Sequence, residues 1–220
     1  MANGAGEIWM SGFMGRGSQF DKPGIRAKFR GHPWEPADFN IPLTPKEVLK
    51  AHGKHRQGCT LALEQFTEAV AVWHPQAWSK TGDLFMAGAF YAVKKPIADV
   101  LKRFDLGDGG LVPVPIFEAD LQTPIEGEYY FLNFGARKNS FRPDLSERVH
   151  KGPNSQWWDL IGEGPVTVDR TALVGADLWM EEELYGEVFM SGELAHALIA
   201  AKPKAELVLR RCDMVEQCLA

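Results

Sequence analysis

The chain has 220 residues, 45% apolar and 24% charged, the balance of a globular protein large enough to bury a substantial core. Its formal net charge of −5 argues against nucleic acid as a partner, because binding a phosphate backbone draws on a basic surplus. No run of eighteen apolar residues is available to span a bilayer. Residues 1–20 also lack a basic stretch followed by an apolar one, so we expect a cytoplasmic protein with no membrane contact. Three cysteines, Cys59, Cys212 and Cys218, are too few and odd in number for a disulfide framework and fit reduced thiols.

In chain order, the first forty-odd residues are rich in Gly and Pro and read as irregular chain, apart from a short strand at Glu7–Met10. Thr44, Pro45 and Glu47 then spell a helix start, with Thr44 as the cap and Glu47 completing a capping box; Gly53 ends this helix. Leu63, Phe66 and Val70 have helical spacing within a segment from Thr60 to about Ala71. Phe90–Val93 reads as a strand, and Pro96 opens a helix with Ile97, Val100, Leu101 and Phe104 on its apolar face. Leu111–Phe117 and Glu128–Phe134 read as extended, and Asn139–Pro165 as polar and turn-rich. "PVTVD" gives a short strand. "ADLWMEEELYGEVFMS" reads as a hairpin with an acidic tip at Glu181–Glu183 and Gly186 in the turn.

A weak internal repeat appears at a shift of 97 residues, where "VKKPIADVLKRF" (93–104) lies over "MSGELAHALIAA" (190–201). Ala98 falls on Ala195, Leu101 on Leu198, and Ile97 opposite Leu194. The expected fold is therefore α+β, with two similar strand–helix–strand halves around mixed or antiparallel sheet. An irregular and helical N-terminal segment, residues 1–60, packs on a body formed by residues 61–220, the whole making one compact unit.

Candidate chemistry is sparse. Ser191 sits between a strand and a helix, but Phe-Met-Ser-Gly-Glu lacks the first glycine of a nucleophile elbow, so Ser191 reads as a helix cap. His52, His55 and Cys59 would share a helix face, but glycines interrupt it and no fourth ligand is near. They read as a basic helix end, with no metal expected. No dinucleotide or Walker motif is present, and no cofactor is expected. Asp177, Glu181, Glu182, Glu183 and Glu187 form a carboxylate cluster with three readings, in this order: a solvated face, a patch for a basic partner, a hydrolytic pair. Trp157 and Trp158 lie in a polar segment, either as core anchors or as interface aromatics.

Three longer stretches carry a resemblance: "WSKTGDLFMAGAFYAVKKPIADVLKRFD", "VPVPIFEADLQTPIEGEYYFLNFG" and "GADLWMEEELYGEVFMSGELAHALIAAKP". In this order they resemble the bacterial polymorphic-toxin immunity proteins of immunity family eleven, over residues 73 to 210. The resemblance implies a non-enzymatic protein that binds a toxin encoded by a neighbouring gene and covers its active site. Glu181, Glu182, Glu183, Trp157 and Trp158 are then the candidate partner-binding residues. The alternative is a hydrolase or small-ligand binder using Glu or Asp with a histidine such as His196 or His74, which requires a concave pocket of perturbed ionisable groups.

Overall fold

A computed structural model describes residues 4–13, 24–34 and 43–216. These residues form an α+β architecture of short strands and four α-helices. In chain order the elements are β1 (Ile8–Ser11), β2 (Ile25–Lys28), α1 (Lys46–His55), β3 (Ala69–Val72), α2 (Pro75–Trp78), β4 (Leu84–Ala87), β5 (Phe90–Lys94) and α3 (Lys95–Leu101). There follow β6 (Gly110–Pro113), β7 (Ile116–Glu118), β8 (Tyr129–Asn133), β9 (Arg137–Lys138), β10 (Val149–His150), β11 (Asp159–Leu160) and β12 (Thr167–Asp169). The last are β13 (Leu178–Glu181), β14 (Val188–Ser191), α4 (Gly192–Ala201), β15 (Leu209–Arg211) and β16 (Asp213–Val215).

The 97-residue repeat is a repeat of structure. Strand β5 ends at Lys94 and runs directly into α3, and β14 ends at Ser191 and runs directly into α4. Each strand is the second arm of a hairpin whose first arm begins alike, Asp83-Leu-Phe-Met in one half and Asp177-Leu-Trp-Met in the other. The parallel pairs match as well. Val70 faces Ile116 in β3–β7 and Thr167 faces Asp213 in β12–β16, the same 46-residue separation.

The four-stranded sheet (β4-β5-β8-β6) and the five-stranded sheet (β15-β1-β14-β13-β9) each place a strand between the hairpin and an edge. In the first half β8 lies between β5 and β6; in the second β1 lies between β14 and β15. These two central strands are equivalent: Lys94 faces Tyr129 as Ser191 faces Ile8. Their sequences, Glu7-IWMSG-Phe13 and Glu128-YYFLN-Phe134, begin and end identically. Both glutamates also accept a hydrogen bond two residues on, from Trp9 Nε1 at 3.0 Å and from the Tyr130 hydroxyl at 2.9 Å. If one copy starts at β1 and the second at β8, each copy's first strand completes the other's sheet.

The two halves meet through α3 packed on α4 and through a paired backbone clamp. Asp83 N–H donates to Lys204 O (2.7 Å), while Lys204 N–H donates to Asp83 Oδ2 (2.6 Å). Asp177 N–H donates to Asp105 O (2.7 Å), while Asp105 N–H donates to Asp177 Oδ2 (3.0 Å). The shared core between the halves holds Leu84, Val93 and Ile97 with Leu178, Met190 and Leu194, and both Phe13 and Phe134. Each sheet's other face has its own core, around Phe85, Phe90 and Phe131 in one half and Met10, Trp179 and Phe189 in the other.

Three local expectations give way. Thr44 does not cap α1: Pro45 is the cap residue, its carbonyl accepting from Leu49 N–H, which leaves Thr44 one position too early, and Glu47 pairs with His32 instead. Gly53 does not end α1, because buried Ala51 and His55 anchor the turns on either side and outweigh the glycine penalty. Thr60–Ala71 is not a helix but a 3₁₀ turn at Leu63–Gln65 followed by β3, whose four residues are all buried between β2 and β7. Ser191 does cap α4, its hydroxyl accepting from Leu194 N–H at 3.3 Å. Cys218 lies outside the described residues.

Because β1 fills the centre of a sheet, fully buried Met10 should behave as a core residue despite its place near the N-terminus. Met10→Ala is expected to cost about 2–4 kcal/mol in urea denaturation, the range of large-to-small core substitutions. A peripheral strand would lose less than about 0.5 kcal/mol.

Candidate functional site

The polar segment after β9 folds back on the β13–β14 hairpin. Strands β10 and β11 pair antiparallel, with Val149 facing Leu160, and bring Trp157 and Trp158 to the hairpin's connection. Trp158 N–H donates to Glu183 O (2.7 Å) and Tyr185 N–H donates to Trp158 O (3.0 Å), so two backbone bonds fix the segment there. The Trp157 ring packs on Tyr185 with centroids 5.4 Å apart. The Arg56 guanidinium lies over the Tyr185 ring at 5.1 Å. Arg56 reaches this hairpin because the chain after α1 crosses to it. Gly58 (φ +75°) presses so closely on β13 that an added Cβ would stand 2.8 Å from Met180 Cβ.

The fold therefore brings together four of the five candidate partner-binding residues. Trp157, Trp158 and Glu183 are half-buried, and Glu182 is exposed with Arg137 4.0 Å away. Glu181 is the exception and does not belong to an exposed acidic tip. It is 3% exposed, and its two oxygens accept from Trp179 Nε1 (2.9 Å), the Ser140 hydroxyl, Ser140 N–H (2.7 Å) and Phe141 N–H (3.1 Å). Strand alternation explains this: Glu181 lies two residues after Trp179 on the same inward face of β13. Its role is to tie the 139–141 segment to the second core.

A cleft of about 290 Å³ is lined by Gly12, Leu160, Gly162, Glu163, Glu187, Val208 and Arg210. Its floor is the end of three adjacent strands. Gly12 follows β1, Glu187 precedes β14, and Arg210 lies in β15 facing Met10. Burial pushes the Glu187 carboxyl up to about 7, against the pull of Arg210 and Arg56. Glu187 Oε2, Arg210 Nε and Arg56 Nε are sealed from solvent without hydrogen-bond partners. Glu187 belonged to the carboxylate cluster visible in the sequence. Arg56 and Arg210 carried no such signal, because their proximity depends on β1 and α1 crossing between the halves.

The remaining candidates lie elsewhere. His196 Nε2 meets Glu7 Oε2 at 3.0 Å and stacks edge-on against Trp9, and His74 is exposed; neither lines the cleft. His55 is not a solvated helix end: it is 0% exposed, and its Nε2 accepts from Tyr91 N–H at 3.3 Å. Burial pushes it down to about 3, so it is neutral. Among the described residues no three His, Cys, Asp or Glu side chains converge as metal ligands. No helix among them is long and apolar enough to cross a membrane. In comparisons with known proteins, no family model matches the chain and no curated protein matches it.

Glu187 links the cleft to stability. Its carboxyl ionises near 4.5 in the unfolded chain and near 7 in the folded one, so the folded state holds a proton that the unfolded state has lost. Its contribution is therefore fully present below about pH 4.5 and is lost as pH rises to about 7. Glu187→Gln should raise stability at pH 8 by on the order of 1–3 kcal/mol and leave it unchanged at pH 4, measured as melting temperature against pH. An equal gain at both pH values would contradict this origin.

Proposed function

We propose that this chain is an immunity protein, which binds and neutralises a toxin encoded by a neighbouring gene, by steric occlusion and without catalysis, in the cytoplasm of a competing bacterium. The resemblance to immunity family eleven motivates the reading. The observation that carries it is the face formed by Trp157 and Tyr185, whose tilted rings pack with centroids 5.4 Å apart, flanked by Glu182 and Glu183. Tryptophan and tyrosine dominate interface hot spots, and carboxylates beside them steer a basic partner into register. The two backbone bonds at Trp158 hold the aromatics in place beforehand, which lowers the ordering cost of association. A specific complex of this kind buries about 1,600 Å² in total. The net charge of −5 favours a basic protein over nucleic acid as the partner.

The test is co-expression with the product of the neighbouring gene. We expect that product alone to arrest the host, co-expression to restore growth, and the two chains to co-purify through a high-salt wash. Absence of both toxicity and complex would overturn the reading. Within the complex, Trp157→Ala should weaken affinity by about 2 kcal/mol or more, roughly 30-fold. Glu182→Lys with Glu183→Lys should slow association about tenfold at low salt and flatten its salt dependence. Unchanged kinetics in all three variants would move the interface off this face.

A further inference from the structure

The cleft between Gly12, Gly162 and Val208 holds an oppositely charged pair that does not close. Glu187 and Arg210 both line it, yet no nitrogen of Arg210 comes within 4.0 Å of a Glu187 oxygen, and Glu187 makes no hydrogen bond to any described residue. Arg210 has one long contact, from Nη1 to Gly164 O at 3.5 Å. Both side chains line the cleft, so a group entering it meets one carboxyl and one guanidinium. Two groups of opposite charge that line one cleft without meeting each other suit an outside group that bridges them.

Above about pH 7, where Glu187 is ionised, the bridging group must offer a donor to Glu187 and an acceptor to Arg210. An ammonium only donates, leaves Arg210 unanswered, and is repelled by Arg210 and by Arg56 beyond Glu187. A carboxylate only accepts and meets the charges of Glu187 and of Glu163 on the lining. A carboxamide carries both functions in one flat group. The walls suit a flat group too: Gly12 and Gly162 contribute no side chains, and Leu160 and Val208 are apolar. We infer that the cleft receives a carboxamide, supplied as an Asn or Gln side chain of the protein partner. The chemistry rests on the cleft alone; the source rests on the proposed function.

The probe is propionamide, titrated at pH 8 into the full-length protein and followed by the amide resonances of Gly12 and Gly162, with propionate and propylammonium as comparisons. We expect saturable shifts with propionamide, at least tenfold weaker binding by the other two, and at least tenfold loss in Arg210→Met. Gly12→Ala is the second variant. Its Cβ would stand 3.6 Å from Val208 Cγ1 and 3.7 Å from Glu187 Oε2, ordinary contacts that narrow the cleft without disturbing the fold. It should lose propionamide binding while keeping the wild-type melting temperature. No saturable shift, meaning a cleft that holds water only, or tighter binding of either ion, overturns the carboxamide assignment and leaves the toxin complex to its own test. If Gly12→Ala loses propionamide yet binds the toxin with unchanged affinity, the partner side chain is overturned as the source.

Discussion

The placement of one short strand, β1, between β14 and β15 holds the rest of the structure in register. It supplies Ile8 and Met10 to the second core and Phe13 to the core shared by the halves. The four-stranded sheet is built from one continuous stretch, residues 84–133, whereas the five-stranded sheet is incomplete without β1 from the N-terminal end. The N-terminal end is thus joined to the second half by the β1 ladders, in addition to the α3–α4 contact and the two aspartate clamps. Losing β1 exposes a core and leaves two strand edges unpaired, so its release should be costly to the whole sheet.

The candidate site is a product of this exchange. The cleft floor draws on β1, β14 and β15 at adjacent positions, so residues near 12, 187 and 210 meet only because the N-terminal strand crosses over. The aromatic face depends on a second crossing, in which the chain after α1 brings Arg56 to Tyr185. The second hairpin then differs from its counterpart in function. The β4–β5 connection is the tight two-residue turn Gly88-Ala89, both at positive φ, whereas the longer β13–β14 connection has room to receive the Trp157–Trp158 segment.

Much of the architecture was legible in the sequence, for identifiable reasons. The strand–helix junctions at Lys94 and Ser191 showed up because Pro96, Ser191 and an apolar period of 3.6 mark them locally. The 97-residue repeat was visible there because in both copies the second arm of the hairpin runs directly into its helix. The strand exchange was not, since Glu7–Phe13 and Glu128–Phe134 are 121 residues apart and fall out of phase with that repeat. The β3 segment was misread because Leu63, Phe66 and Val70 fit a helical period while "AVAV" fits a strand buried on both faces, and only tertiary pairing decides between them. Glu181 was misplaced because a run of three glutamates looks solvated, although alternation with Trp179 puts the first of them inward.

The direct test of the account is native-state hydrogen exchange at β1. If the N-terminal strand completes the second sheet, the slowest amides of Trp9, Met10 and Ser11 exchange only through global unfolding, with protection equal to that of the slowest amides of Val188–Met190. Exchange in β1 that is orders of magnitude faster than in β14 would mean that the strand frays independently. The crossing between the halves, and the cleft built on it, would then be wrong.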